Sequence, residues 1–146
     1  MHELGDLYQE IILDHYKKPR NAGLLEQPTC SAQGDNPLCG DKISVSVKTK
    51  GDVLEDIRWK GAGCAISTAS ASLMSEAVKG KSRAQIGELF DRFHAMVTGK
   101  GPSEGLDKLE VFSGVSEFPV RVKCASLAWH TLKAALEGQT DTVSTE

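Results

Sequence analysis

Four cysteines stand at positions 30, 39, 64 and 124 of the 146-residue chain, and three of them sit where the chain changes direction. In "LCGD", Cys39 and Asp41 are two apart at the entrance to a strand. An extended backbone there sends both side chains to the same side, with Gly40 leaving room between them. "GAGC" ends one element and launches a helix at Cys64, where helix-end amides and the positive end of the dipole favour negative charge. "VRVKC" places Cys124 in what reads as a first helical turn, beside Lys123 and near Arg121, two cations able to offset an anionic sulfur. Three sulfurs and one carboxylate suit a tetrahedral zinc, which takes thiolate at about 2.3 Å and carboxylate at about 2.0–2.2 Å. Such a set is unusual for structural zinc, because the chain has no Cys-x-x-Cys pair. The carboxylate is the exchangeable position, and soft thiolates serve iron-sulfur clusters as well as zinc. The same residues also have plainer readings: any one cysteine can be a small core residue, Asp41 a turn residue, and Arg121 and Lys123 solvated surface cations. Cys30, in a Pro-rich stretch without a partner at ligand spacing, is read as a packed thiol, though it could replace Asp41 in a four-cysteine site. His130, six residues after Cys124, lies about 240° round an ideal helix and faces elsewhere. His15 is read as structural, His2 and His94 as exposed, and Trp59 and Trp129 as core or edge aromatics.

The elements that must position these residues follow from hydrophobic period and punctuation. Leu4, Leu7, Tyr8, Ile11, Ile12 and Tyr16 recur at helical spacing up to "KKPRNAG", which stops the helix. Residues 19 to 38 hold three prolines and two glycines and predict an extended loop with one short edge strand near Thr29 to Ala32. Ile43, Val45 and Val47 alternate with polar neighbours, turn at Gly51-Asp52 and resume from Val53 to Trp59, a hairpin with one buried face. A small-residue helix runs from Cys64 to Gly80, another follows with Ser82 as N-cap, and a last one ends at Gly138. The segment 98 to 118 carries four glycines and mixed charge and predicts a mobile connection or surface excursion. Strands early and helices late give an α+β class: a small antiparallel sheet with helices on one face, a single domain over 1–138 and a disordered tail over 139–146. A net charge of −3 offers no basic footprint for nucleic acid. No apolar run approaches the ~20 residues that span a bilayer, so no membrane partner is expected and the protein is placed in the cytoplasm. A cytosolic chain of this size does not need disulfides, which leaves metal or thiol chemistry for its cysteines.

Four stretches, "DHYKKPRNAG", "CGD", "GAGCAISTASASLM" and "KCASLAW", in this order over roughly residues 4 to 137, resemble the IscU/NifU-type iron-sulfur cluster assembly family. The resemblance implies the compact α+β fold, with Cys39, Asp41, Cys64 and Cys124 gathered at one end of the sheet as metal ligands. In IscU-type scaffolds a histidine precedes the third cysteine and an "LPPVK" chaperone-recognition element lies upstream. Here Lys123 holds the histidine place, "EFPVR" stands upstream, and the segment from Gly80 to Pro119 is longer. These features resemble the SufU branch, whose members bind zinc through three Cys and the Asp and accept sulfur from a SufS-type, pyridoxal-phosphate-dependent cysteine desulfurase. The resemblance implies Cys39 as persulfide acceptor, Asp41 as the residue orienting the metal, and Arg121 as support for the site or the partner contact. A downstream scaffold or acceptor protein would then receive the sulfur. The alternative is a scaffold on which a transient iron-sulfur cluster is assembled and handed on, and a third reading is a structural zinc domain that recruits partners.

Overall fold

In the computed structural model, the backbone is described for residues 2–37, 40–138 and 143–144, and the side chains for 8–37 and 40–138. The chain forms α1 (His2–Lys17), β1 (Cys30–Asn36), β2 (Asp41–Lys50), β3 (Val53–Ala62), α2 (Ala65–Val78), α3 (Arg83–Val97), a 3-10 helix (Asp107–Glu117), α4 (Pro119–Leu136) and β4 (Val143–Ser144). The sheet has the order β3-β2-β1-β4. β1, β2 and β3 pair antiparallel, and β4 lies parallel to β1 at Gly34 and Asp35. Within the expected disordered tail, Val143 and Ser144 are the described residues, and they make this pairing. The α+β class with an antiparallel sheet backed by helices is as the sequence predicts.

Alternation decides which face of the sheet is covered. Ile43, Val45 and Val47 of β2 and Leu54, Ile57 and Trp59 of β3 point into one core with Met74, Phe93, Leu127, Trp129 and Leu132 from the helices. α4 packs across β1 and β2, α2 packs against α4, α1 and β3, and α3 packs on α4. Gly34 of β1 lies directly against Thr131 and Leu127 of α4, so close that any side chain there would collide with the Thr131 hydroxyl. That approach explains a glycine within a strand. Phe93 stacks on Trp129 with ring centres 4.6 Å apart and meets Phe112 edge-on at 5.9 Å.

Two expectations are corrected. The short edge strand expected near Thr29 to Ala32 is the longer β1, flanked by β4: it continues through "GDN" to Asn36, because its ladder with β2 outweighs the poor strand propensity of Gly, Asp and Asn. Residues 98 to 118 are not a mobile excursion. They hold the 3-10 helix, and Leu106, Leu109, Val111, Phe112 and Val115 are buried in the main core. Spacings of three in that set match a helix of three residues per turn, a period hidden by the glycines on either side.

Candidate metal centre

The register of the sheet brings the first two site residues together. Lys42 pairs with Ala62, so Asp41 at the head of β2 lies beside Gly63 and Cys64, which leave the end of β3. Asp41 is buried, and its Oδ1 accepts the Cys64 backbone N–H at 3.1 Å. Gly63 has no room for a side chain: a Cβ would stand 2.7 Å from Asp41 Oδ1. Cys64 is the N-cap of α2, with its Sγ accepting the Ser67 N–H at 3.4 Å and lying 3.9 Å from Asp41 Oδ2. A sulfur in the N-cap place thus takes one of the helix amides that would otherwise lack a partner.

Cys124 arrives from the opposite layer. α4 begins at Pro119, so Cys124 stands in its second turn rather than the first turn expected from sequence. Pro at the first helical position, whose fixed φ suits a helix start, opens the element earlier. The helix-end argument therefore applies to Cys64 and not to Cys124. Ser70 of α2 donates to the Ala125 carbonyl at 2.6 Å, which pins α2 to α4 one residue from Cys124. Asp41, Cys64 and Cys124 each offer one donor atom, and the three atoms lie within 4.8 Å of one another.

The donor set fits a thiophilic metal. Donors around a tetrahedral zinc with Zn–S bonds of about 2.3 Å sit about 3.5–3.8 Å apart, so the trio needs to close by about 1 Å. Asp41 and Cys124 are buried while Cys64 is exposed, which leaves the centre open to an incoming molecule on one side. Cys39, the fourth expected ligand, lies outside the described residues. Gly40 beside it has φ +77° and its N–H bonds to the Asn36 carbonyl at 2.8 Å, a turn rather than the extended backbone expected there. Only Gly adopts that φ freely, which gives "CGD" a conformational reason for its central residue.

Arg121 remains on the exposed first turn of α4, its guanidinium 4.4 Å from the centre of the exposed Phe118 ring, and Lys123 is half-buried. Cys30 is half-buried in β1 opposite Val47 and packs against the core, away from the trio, as its plainer reading has it. Ser67, Ser70 and Gly63 were missed by sequence reasoning, and the doubled glycine of "GAGC" was the one available signal. His15 proves structural: it is buried, its Nδ1 is 2.7 Å from Ser72 Oγ, and that oxygen accepts the Arg20 N–H at 2.9 Å. Ser72 Oγ keeps a second lone pair and its own O–H beyond the Arg20 bond, so it can meet Nδ1 in either ring tautomer, and Nε2 lies 3.6 Å from Glu76 Oε1.

An antiparallel sheet backed by helices, with an acid and two cysteines converging at one end, defines an α+β domain suited to holding a metal or handling sulfur. The chain belongs to the NifU-like N terminal domain family, whose model matches residues 7–143. It is 42% identical over 132 residues, 89% of each chain, to the zinc-dependent sulfurtransferase SufU of Bacillus subtilis. It is 44% identical over 137 residues to the iron-sulfur cluster assembly scaffold protein IscU of Streptococcus pyogenes, covering 92% of this chain and 86% of that one. The crystal structure of FiSufU from Fervidobacterium islandicum AW-1 superposes with a TM-score of 0.83 at 34% identity, covering 87% of this chain and 94% of that one. No helix among the described residues is long and apolar enough to cross a membrane.

Proposed function

We propose that this protein works in iron-sulfur cluster assembly as a zinc-dependent sulfurtransferase that accepts persulfide sulfur from a SufS-type cysteine desulfurase in the cytoplasm. The observation that carries this reading is the convergence of Asp41, Cys64 and Cys124 on one half-open point, two residues in sequence from Cys39. Likeness to the Bacillus sulfurtransferase supports it. Zinc, when bound by Cys39, Asp41, Cys64 and Cys124, would keep the sulfurs deprotonated and shielded until the donor protein docks.

The chain's own residues then perform the transfer. The Cys39 thiolate attacks the outer sulfur of the desulfurase persulfide; a new S–S bond forms at Cys39, the old S–S bond breaks, and the desulfurase thiolate leaves. Cys39 becomes a persulfide and no external oxidant or reductant is consumed. Asp41 keeps Cys64 in place through the 3.1 Å bond to its amide, so the remaining donors hold their arrangement while Cys39 acts. Arg121, exposed next to Phe118 at the start of α4, offers a cation and an aromatic to the docking partner. A downstream scaffold or acceptor protein takes the sulfur from Cys39. Mass spectrometry after one desulfurase turnover tests the assignment: one added sulfur on Cys39 is expected, and sulfur on Cys64 or Cys124 alone contradicts it.

The second reading is a scaffold on which an iron-sulfur cluster is assembled and then transferred, favoured by the likeness to the Streptococcus protein. Anaerobic reconstitution that yields a stable cluster, handed intact to an apo-protein, would decide for it.

A further inference from the structure

His94 of α3 and His130 of α4 form a pair that the sulfur site does not use. Both are half-buried, their ring centres are 5.7 Å apart, and their planes cross at 79°. Phe90 backs them, stacked on His94 at 6.0 Å and edge-on to His130 at 5.3 Å. We propose that His94 and His130 together form a second, exchangeable binding site for a borderline divalent cation such as Zn²⁺, bridging α3 and α4.

The geometry carries the argument. A metal about 2.0–2.1 Å from a ring nitrogen sits roughly 3.2 Å from the ring centre, so two imidazoles on one tetrahedral ion hold their centres roughly 5–5.5 Å apart. The observed centres, 5.7 Å apart, lie close to that range, and with the planes crossed at 79° one ring turns out of the edge-to-face contact to bring its nitrogen to the shared ion. Imidazole is a ligand for zinc, copper, nickel and iron, and it binds in its neutral form. Burial, with His94 and Lys133 nearby, lowers the His130 pKa from its ordinary value and keeps the ring neutral at physiological pH. Among the described residues no third Cys, Asp, Glu or His completes a cluster here, so water fills the other positions and the ion exchanges readily. The site is separate from the sulfur centre: His130 lies about 9 Å along the α4 axis from Cys124 and about 240° round it.

The same edge-to-face contact also occurs as simple aromatic packing, and variants separate the two. Full-length protein already loaded with one equivalent of zinc is titrated with further Zn²⁺ while the ¹⁵N resonances of the histidine rings are followed. The expected result is a saturable event that shifts His94 and His130 together and leaves His15 unmoved. Either His94→Gln or His130→Gln abolishes it while retaining the first equivalent of zinc and the thermal unfolding midpoint. Lowering the pH from 7.5 to 5.5 weakens it. An unsaturable drift, or an event that survives in the double variant His94→Gln/His130→Gln, overturns the proposal.

Discussion

At the residue scale, the contact between Gly63 and Asp41 makes the candidate metal centre testable without touching a donor atom. A Cβ at residue 63 would stand 2.7 Å from Asp41 Oδ1 and 3.2 Å from Ser67 Oγ. Gly63→Ala therefore displaces the carboxylate while leaving the proposed ligands Cys39, Cys64, Cys124 and Asp41 in the chain. Supporting residues of metal sites typically cost 10–100-fold in metal affinity when changed, and a loss of about that size is expected in competition with a chromogenic zinc chelator. Unchanged zinc retention in Gly63→Ala would show that Asp41 is not where the metal is held. Asp41→Ala removes the acceptor of the Cys64 amide as well, so it is expected to lower unfolding free energy by about 1–3 kcal/mol in addition to weakening zinc.

Between elements, a polar clasp ties α1 to α2 and β3. His15 bonds Ser72, Ser72 accepts the Arg20 amide, Asn21 donates to Ser75, and the Trp59 indole donates to the Arg20 carbonyl. Burial, with Arg20 close by, lowers the His15 pKa from its ordinary value of 6.5. The unfolded chain then binds a proton more readily than the folded one, so this contribution to stability is present above pH 6.5 and lost as pH falls through the folded value. Urea unfolding should show lower stability at pH 5.5 than at 7.5, and the His15 ring should titrate below 6.5; titration above 6.5 would contradict the buried neutral ring. The 3-10 helix makes a second prediction. Phe112 is fully buried against Phe93, so Phe112→Ala should cost about 3–5 kcal/mol, where a surface loop residue would cost almost nothing.

What was legible at this scale followed from period and punctuation. Ser82 reads as an N-cap in sequence, and in the structure it forms a full capping box with Gln85. The hairpin turn at Gly51-Asp52 and the alternation of β2 were equally plain, since both are local. The length of β1 and the packing of 98 to 118 were not local: they depend on β2 and on Phe93, which lie elsewhere in the sequence.

For the whole molecule, the main core and the candidate metal centre are distinct. Asp41, Cys64 and Cys124 sit at one end of the sheet, while the hydrophobic cluster from Ala32 to Ala135 is assembled without them. Zinc removal by a chelator should therefore lower the unfolding midpoint, by loss of a ligand that binds only the folded state, and leave far-ultraviolet circular dichroism intact at 25 °C. Complete unfolding on chelation would instead mark a structural zinc domain. The sequence pointed to Asp41 and Cys64 through residue type and element ends, and to Cys124 through residue type alone, since the element end expected there lies five residues earlier. Their meeting depended on the β2–β3 register and on the Ser70 bond to α4, which no single segment encodes.

Alanine release by a SufS-type cysteine desulfurase, the proposed partner, measured without small-molecule thiols and with or without the zinc-loaded protein, tests the central claim most directly. Strong stimulation that disappears in Cys39→Ala and Asp41→Ala is the predicted result. No stimulation by a folded, zinc-loaded sample would contradict a sulfur-accepting role and leave the cluster scaffold as the function of this site.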